Sequence, residues 1–122
     1  MVLVDTSIWV SHLRDGDAQL KKLLNNGEVI IHPFIIGELA CENIKNREEI
    51  FSLLNCLPTA EVTENKTVLE FIENSGLMGK GIGYIDVHLL ASALISDSLL
   101  WSGDRKLNKM AEELKINYIF FK

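Results

Sequence analysis

The chain is short of proline, cysteine and basic charge, and each shortage removes a class of protein. Its two prolines and eight glycines do not cluster into a linker, so one domain over residues 1–122 is expected. Cys41 and Cys56 form no CxxC pair and have no histidine at a zinc spacing. That excludes a zinc ribbon and leaves two buried, reduced thiols as the expectation. No apolar run approaches the roughly 20 residues that span a bilayer. Met1-Val2-Leu3-Val4-Asp5 has neither the basic region nor the cleavage site of a signal peptide. A soluble, cytoplasmic protein with no membrane partner is expected. Basic residues number 12 against 17 acidic, for a net charge of −5, which lacks the basic surface usual in a nucleic-acid binder.

What is present is a globular composition, 48% hydrophobic and 24% charged, in which short apolar runs alternate with amphipathic ones. Met1 to Val4 reads as a buried strand, followed by a helix capped within Asp5-Thr6-Ser7 and broken at Asp15-Gly16-Asp17. A second helix, Ala18 to Leu24, leads to a strand at Val29 to Ile31. Pro33 suits the first turn of a helix running to Ile44, and Arg47 to Asn55 forms another. A short strand is expected at Thr59 to Val62, a helix from Glu64 to Asn74 and a glycine-rich loop from Gly76 to Gly83. Tyr84 to Ile95 is almost wholly apolar and reads as a buried helix. Leu99 to Trp101 is a strand, Asp104 to Leu114 a helix and Asn117 to Phe121 a closing strand. The alternation predicts a parallel sheet of four to five strands between helices, an α/β domain of three layers.

Four acids stand at breaks in this pattern: Asp5, Glu38, Asp86 and Asp104. Asp5 follows the first strand and Asp104 follows Leu99–Trp101 through a two-residue turn. Both therefore belong at the carboxyl edge of the sheet, where function gathers in such folds. Asp86 lies near the start of the apolar helix, and Glu38 is flanked by apolar residues on both sides. Any one of these acids is more often a helix cap or a first-turn residue favoured by the helix dipole. Carboxylates at four such places are costly unless their charge is offset, and convergence on a shared divalent cation offsets all four. Setting these acids aside leaves the remaining charges nearly balanced, so composition no longer argues against a nucleic-acid substrate.

The motifs around the acids resemble the PIN domain, and within it the VapC-type toxins of toxin–antitoxin pairs. Val4-Asp5-Thr6-Ser7-Ile8-Trp9, Gly37-Glu38-Leu39, Gly83-Tyr84-Ile85-Asp86-Val87-His88 and Leu100-Trp101-Ser102-Gly103-Asp104-Arg105 carry the likeness in order over essentially the whole chain. Ser102 stands where the family commonly has threonine; it keeps the hydroxyl. The resemblance implies a PIN-like fold, cleavage of RNA phosphodiester bonds, a homodimer and a cognate antitoxin. An all-oxygen ligand set selects Mg²⁺ or Mn²⁺ over zinc, and one metal or a pair about 3.5–4 Å apart both suit in-line displacement. Asp5, Asp86 and Asp104 are then expected as ligands, and Glu38 as a ligand or the base that orients water. Ser7 and Ser102 are expected to hold carboxylates in place, with plain capping as the alternative.

Arg105, Lys106 and Lys109 follow Asp104 and are candidate phosphate contacts, Arg105 lying closest to the site and Lys109 better read as part of a solvated face; Lys80, in the glycine-rich loop, is a further candidate. His12, His32 and His88 make no metal set; His88 is expected to be a satisfied or partner-facing histidine, and Trp9 a packing residue. Three rivals were weighed. A phospho-accepting receiver-like signalling module also places acids at strand ends, but no lysine follows the last strands in a suitable turn. A dehalogenase-type phosphatase needs Asp-x-Asp where this chain has Asp5-Thr6-Ser7. A housekeeping RNA-processing or repair nuclease would share the fold and differ in partner.

Overall fold

The computed structural model describes residues 1–120. Three short strands form a parallel sheet: β1 (Val2–Val4), β2 (Val29–Ile30) and β3 (Leu99–Trp101), in the order β2-β1-β3. Val2 pairs with Val29 on one side and Leu99 on the other, and Val4 pairs with Trp101. The first strand is thus the central one, and all three of its residues are buried.

Seven helices connect these strands among the described residues: α1 (Thr6–Asp15), α2 (Ala18–Asn25), α3 (Pro33–Ala40), α4 (Arg47–Leu54), α5 (Asn65–Ser75), α6 (Tyr84–Ile95) and α7 (Arg105–Glu113). α1 packs on α3, α5 on α6, and α6 and α7 on β3. Leu3, Leu20, Ile31, Ile35, Leu39, Leu89, Leu90, Leu100 and Leu107 are fully enclosed. Seven consecutive residues of α6, Val87 to Ala93, are buried, the mark of a helix covered on all sides. The glycine-rich stretch before it is a loop, as expected.

The outer strands are shorter than the sequence suggests. Thr59 to Val62 contributes one parallel bridge, Thr59 to Ile31, closed by the Ile31 and Ala60 amides. Glu61 and Val62 face solvent, so nothing rewards continuing the ladder. The closing strand likewise reduces to a bridge between Asn117 and Leu100, and its last expected residue, Phe121, lies outside the described residues. The sheet is therefore a three-stranded ladder with a one-residue extension at each edge. α3 ends at Ala40 rather than Ile44, because the Arg47 guanidinium donates to the carbonyls of Ala40 (2.6 Å) and Glu42 (3.1 Å). These acceptors are left over where a helix stops.

Both cysteines are exposed, against expectation. Cys41 caps the C-terminus of α3 and Cys56 follows the cap of α4, where the chain turns outward and burial is not on offer.

Candidate active site

Because the sheet is parallel, the carboxyl ends of its strands share one edge. Asp5 leaves β1 there. Its amide donates to the carbonyl of Trp101 (2.8 Å), and its Oδ1 accepts the Thr6 amide (2.8 Å) as the N-cap of α1. Asp104 leaves β3 at the same edge and caps α7, its Oδ1 accepting the amides of Lys106 (2.9 Å) and Leu107 (3.0 Å). The capping expected of each acid is therefore present, and it uses only part of each carboxylate.

Ser102 ties these two acids together. Its hydroxyl donates to Asp5 Oδ2 (2.7 Å) and accepts the Asp104 amide (3.0 Å). Ser7 adds a weaker bond to the same Asp5 oxygen (3.3 Å) and accepts the Gly103 amide (3.0 Å). Asn108, from α7, holds the Ser102 carbonyl at 2.6 Å. Ser102 is buried while Ser7 is exposed, so Ser102 is the stiffer of the two supports.

Glu38 projects from α3, and its Oε1 accepts the Thr6 hydroxyl at 2.6 Å. Thr6 was missed by the sequence reading, although it sits between two residues that were singled out. Asp86 stands in the first turn of α6, with its Oδ2 facing the Gly83 amide (3.2 Å). Burial raises the Asp86 pKa above its ordinary value; the Gly83 amide works against this, and the charges of Asp5, Asp104 and Glu38 add to it. One half-buried carboxylate thus feels all three others, and the four acids share one electrostatic site.

They do not close on one another: among the described residues no three acidic, histidine or cysteine side chains stand close enough to form a ready-made metal group. Mutual repulsion keeps bare carboxylates apart. The donor set nonetheless fits a hard divalent cation. Glu38 Oε2, Asp86 Oδ1 and Asp104 Oδ2 have no hydrogen-bond partner among the described residues, and none of the four acids is in an ion pair there. Arg105 and Lys80 are exposed, and no contact of either with the acids is present.

Behind this edge lies a histidine cluster that the sequence reading did not resolve. His32 follows β2 and caps α3, its Nδ1 accepting the Phe34 amide at 2.9 Å. That contact assigns the proton to Nε2, which points to Ser92 Oγ at 3.1 Å, and Ser92 in turn donates to the Glu61 carbonyl at 2.7 Å. Burial, with a smaller contribution from His88, lowers the His32 pKa to about 4. His88 is packed edge-on against Tyr84 and Phe34, with ring centroids 4.6 and 4.8 Å away. Of the two expected readings, satisfied or partner-facing, the first fails: the His88 Nδ1 is buried without a partner among the described residues, and burial lowers the His88 pKa. Trp9 is buried core, as expected.

The site and fold define a class. The PIN-domain family model matches residues 2–113, and the chain belongs to that family, in its VapC-type branch. It is 40% identical over 114 residues to Ribonuclease VapC32 of Mycobacterium tuberculosis, in each of two strains; the match covers 93% of this chain and 92% of that protein. The crystal structure of PAE2754 from Pyrobaculum aerophilum superposes with a TM-score of 0.60 at 18% identity, over 93% of this chain and 85% of that one. At that identity the likeness bears on the fold alone. Membership of this family displaces the receiver-like reading.

Proposed function

We propose that this protein is a Mg²⁺- or Mn²⁺-dependent endoribonuclease and the toxin of a toxin–antitoxin pair, acting in the cytoplasm as a homodimer and neutralised by a cognate antitoxin. The observation that carries the proposal is the Ser102 hydroxyl, which joins Asp5 and Asp104 at the edge that Asp86 and Glu38 also face. The ribonuclease name of the VapC32 relative supports the activity. No helix among the described residues is long and apolar enough to cross a membrane.

Asp5, Asp86 and Asp104 would hold the cation. When bound, it supplies neutralisation of the phosphate and a lowered pKa for water. The chain's own residues do the rest. Ser102 keeps Asp5 and Asp104 in register, and Thr6 fixes Glu38, which accepts a proton from the attacking water. The Gly83 amide turns the Asp86 carboxylate so that its second oxygen stays available. The cleft lined by Val10, Leu13 and Ile44 together with Arg14, Glu42, Asn43 and Lys45 supports an antitoxin segment with apolar side chains.

The test is cleavage of RNA by the purified chain with Mg²⁺ or Mn²⁺, beside Asp5→Asn and an EDTA control. Metal-dependent cleavage lost in the variant is expected. Cleavage that survives both EDTA and Asp5→Asn would remove the carboxylates from the reaction.

A further inference from the structure

The glycine-rich loop before α6 carries a contact that the carboxylate site does not account for. A Cβ placed on Gly81 would stand 2.8 Å from Cδ of Lys106, 2.9 Å from its Nζ and 3.2 Å from its Cε. The lysine stem thus lies across the bare backbone of Gly81, although its flexible end could give way to a methyl group. Gly79, in the same loop, has nothing within 4 Å of its corresponding position. Gly81 also takes a φ of +78°, which a side chain disfavours.

The position of the ammonium is not explained by stability. Lys106 is the second residue of α7, and a cation at a helix N-terminus opposes the helix dipole. No carboxylate lies within ion-pair distance of it among the described residues, although Asp104 begins the same helix and accepts the Lys106 amide. Gly81 is two residues ahead of Gly83, whose amide holds Asp86. The ammonium therefore spans the two segments that deliver Asp86 and Asp104 to the site, with its donors uncommitted. A compact point charge with free donors suits a phosphate oxygen.

We infer that Lys106, seated on Gly81, is the cation that binds the RNA backbone at the rim of the acidic site. This rests on the ribonuclease reading of the same site and adds to it the residue that receives the substrate's charge.

The experiment measures binding of a fluorescently labelled, mixed-sequence single-stranded RNA 20-mer to the full chain in EDTA, from 50 to 200 mM monovalent salt. Wild type is compared with Lys106→Gln and Lys106→Arg, and cleavage in Mn²⁺ is followed in parallel. Loss of one phosphate contact on a single strand reduces the slope of log K against log salt by about 0.7. That reduction is expected in Lys106→Gln, with the slope restored in Lys106→Arg. KM should rise in Lys106→Gln more than kcat falls, with the urea midpoint unchanged. An unchanged slope in Lys106→Gln, with wild-type cleavage intact, overturns the inference and leaves the nuclease standing. A wild-type chain that neither binds nor cleaves the RNA overturns both.

Discussion

Acidification should destabilise this protein chiefly through His32, with His88, whose pKa burial also lowers, acting in the same sense. The His32 ring is fully enclosed, with Nδ1 accepting the Phe34 amide and Nε2 facing Ser92. A second proton can enter only at Nδ1, where it meets an N–H donor and breaks the cap of α3. The ordinary pKa of 6.5 falls to about 4 in the folded chain. Between those values the unfolded chain binds the proton and the folded one does not, so stability rises with pH through this window and is lost as pH falls below 6.5. A gap of about 2.5 units is worth about 3.4 kcal/mol when complete, of which about 2 kcal/mol is already lost at pH 5. Asp86 works in the opposite sense: its raised pKa makes the folded chain the better proton binder just above the ordinary carboxylate value, so stability falls as pH rises there. The useful quantity is therefore the difference between wild type and His32→Asn, in which Asp86 cancels and an N-cap acceptor is kept. Urea unfolding followed by circular dichroism between pH 4.5 and 7.5 gives that difference. Wild type should lose its advantage over His32→Asn by about 2 kcal/mol between pH 7.5 and pH 5. A difference that does not change with pH, or a His32 ring that titrates above pH 6 by NMR, refutes the reasoning.

The remaining predictions concern the carboxylates. Ser102→Ala removes the hydroxyl shared by Asp5 and Asp104 and should lower cleavage about 10–100-fold, with a weaker loss in Ser7→Ala; equal activity of Ser102→Ala and wild type would show that the tie is not used. Asp86→Asn should abolish cleavage while raising the metal-free thermal midpoint at pH 7, because it removes a half-buried charge that three other carboxylates oppose. A midpoint below that of wild type in EDTA would contradict the shared electrostatic site.

The sequence exposed the parts of the site that rest on local chemistry. Asp5 and Asp104 each follow a short apolar run and precede a helix, and one glance at strand–acid–helix order places both at the same edge. Glu38 and Asp86 were legible because a charge inside an apolar stretch needs a reason. Contacts between distant residues were not legible. His32, Ser92 and Glu61 form a hydrogen-bonded line, yet nothing local in any of them announces the others. Thr6 was passed over because a threonine beside a capping aspartate is ordinary, and its bond to Glu38 crosses from α1 to α3. The edge strands were overcalled because Val62 and Ile119 favour a strand, while the chain leaves both exposed. That the Lys106 stem lies over Gly81 was not legible either, because the glycine belongs to a separate loop.

The pairing of β1 with both β2 and β3 has a consequence for the order in which the protein is made. Asp5 is synthesised about a hundred residues before the Trp101 carbonyl and Ser102 hydroxyl that position it. Until then the central strand has a neighbour on one side only, and Asp5 has no counterpart at the sheet edge. Contacts of such long sequence separation form late in folding. A chain still emerging from the ribosome therefore carries three of the four acids before the edge they share exists, and the last crossover is the step that completes that edge.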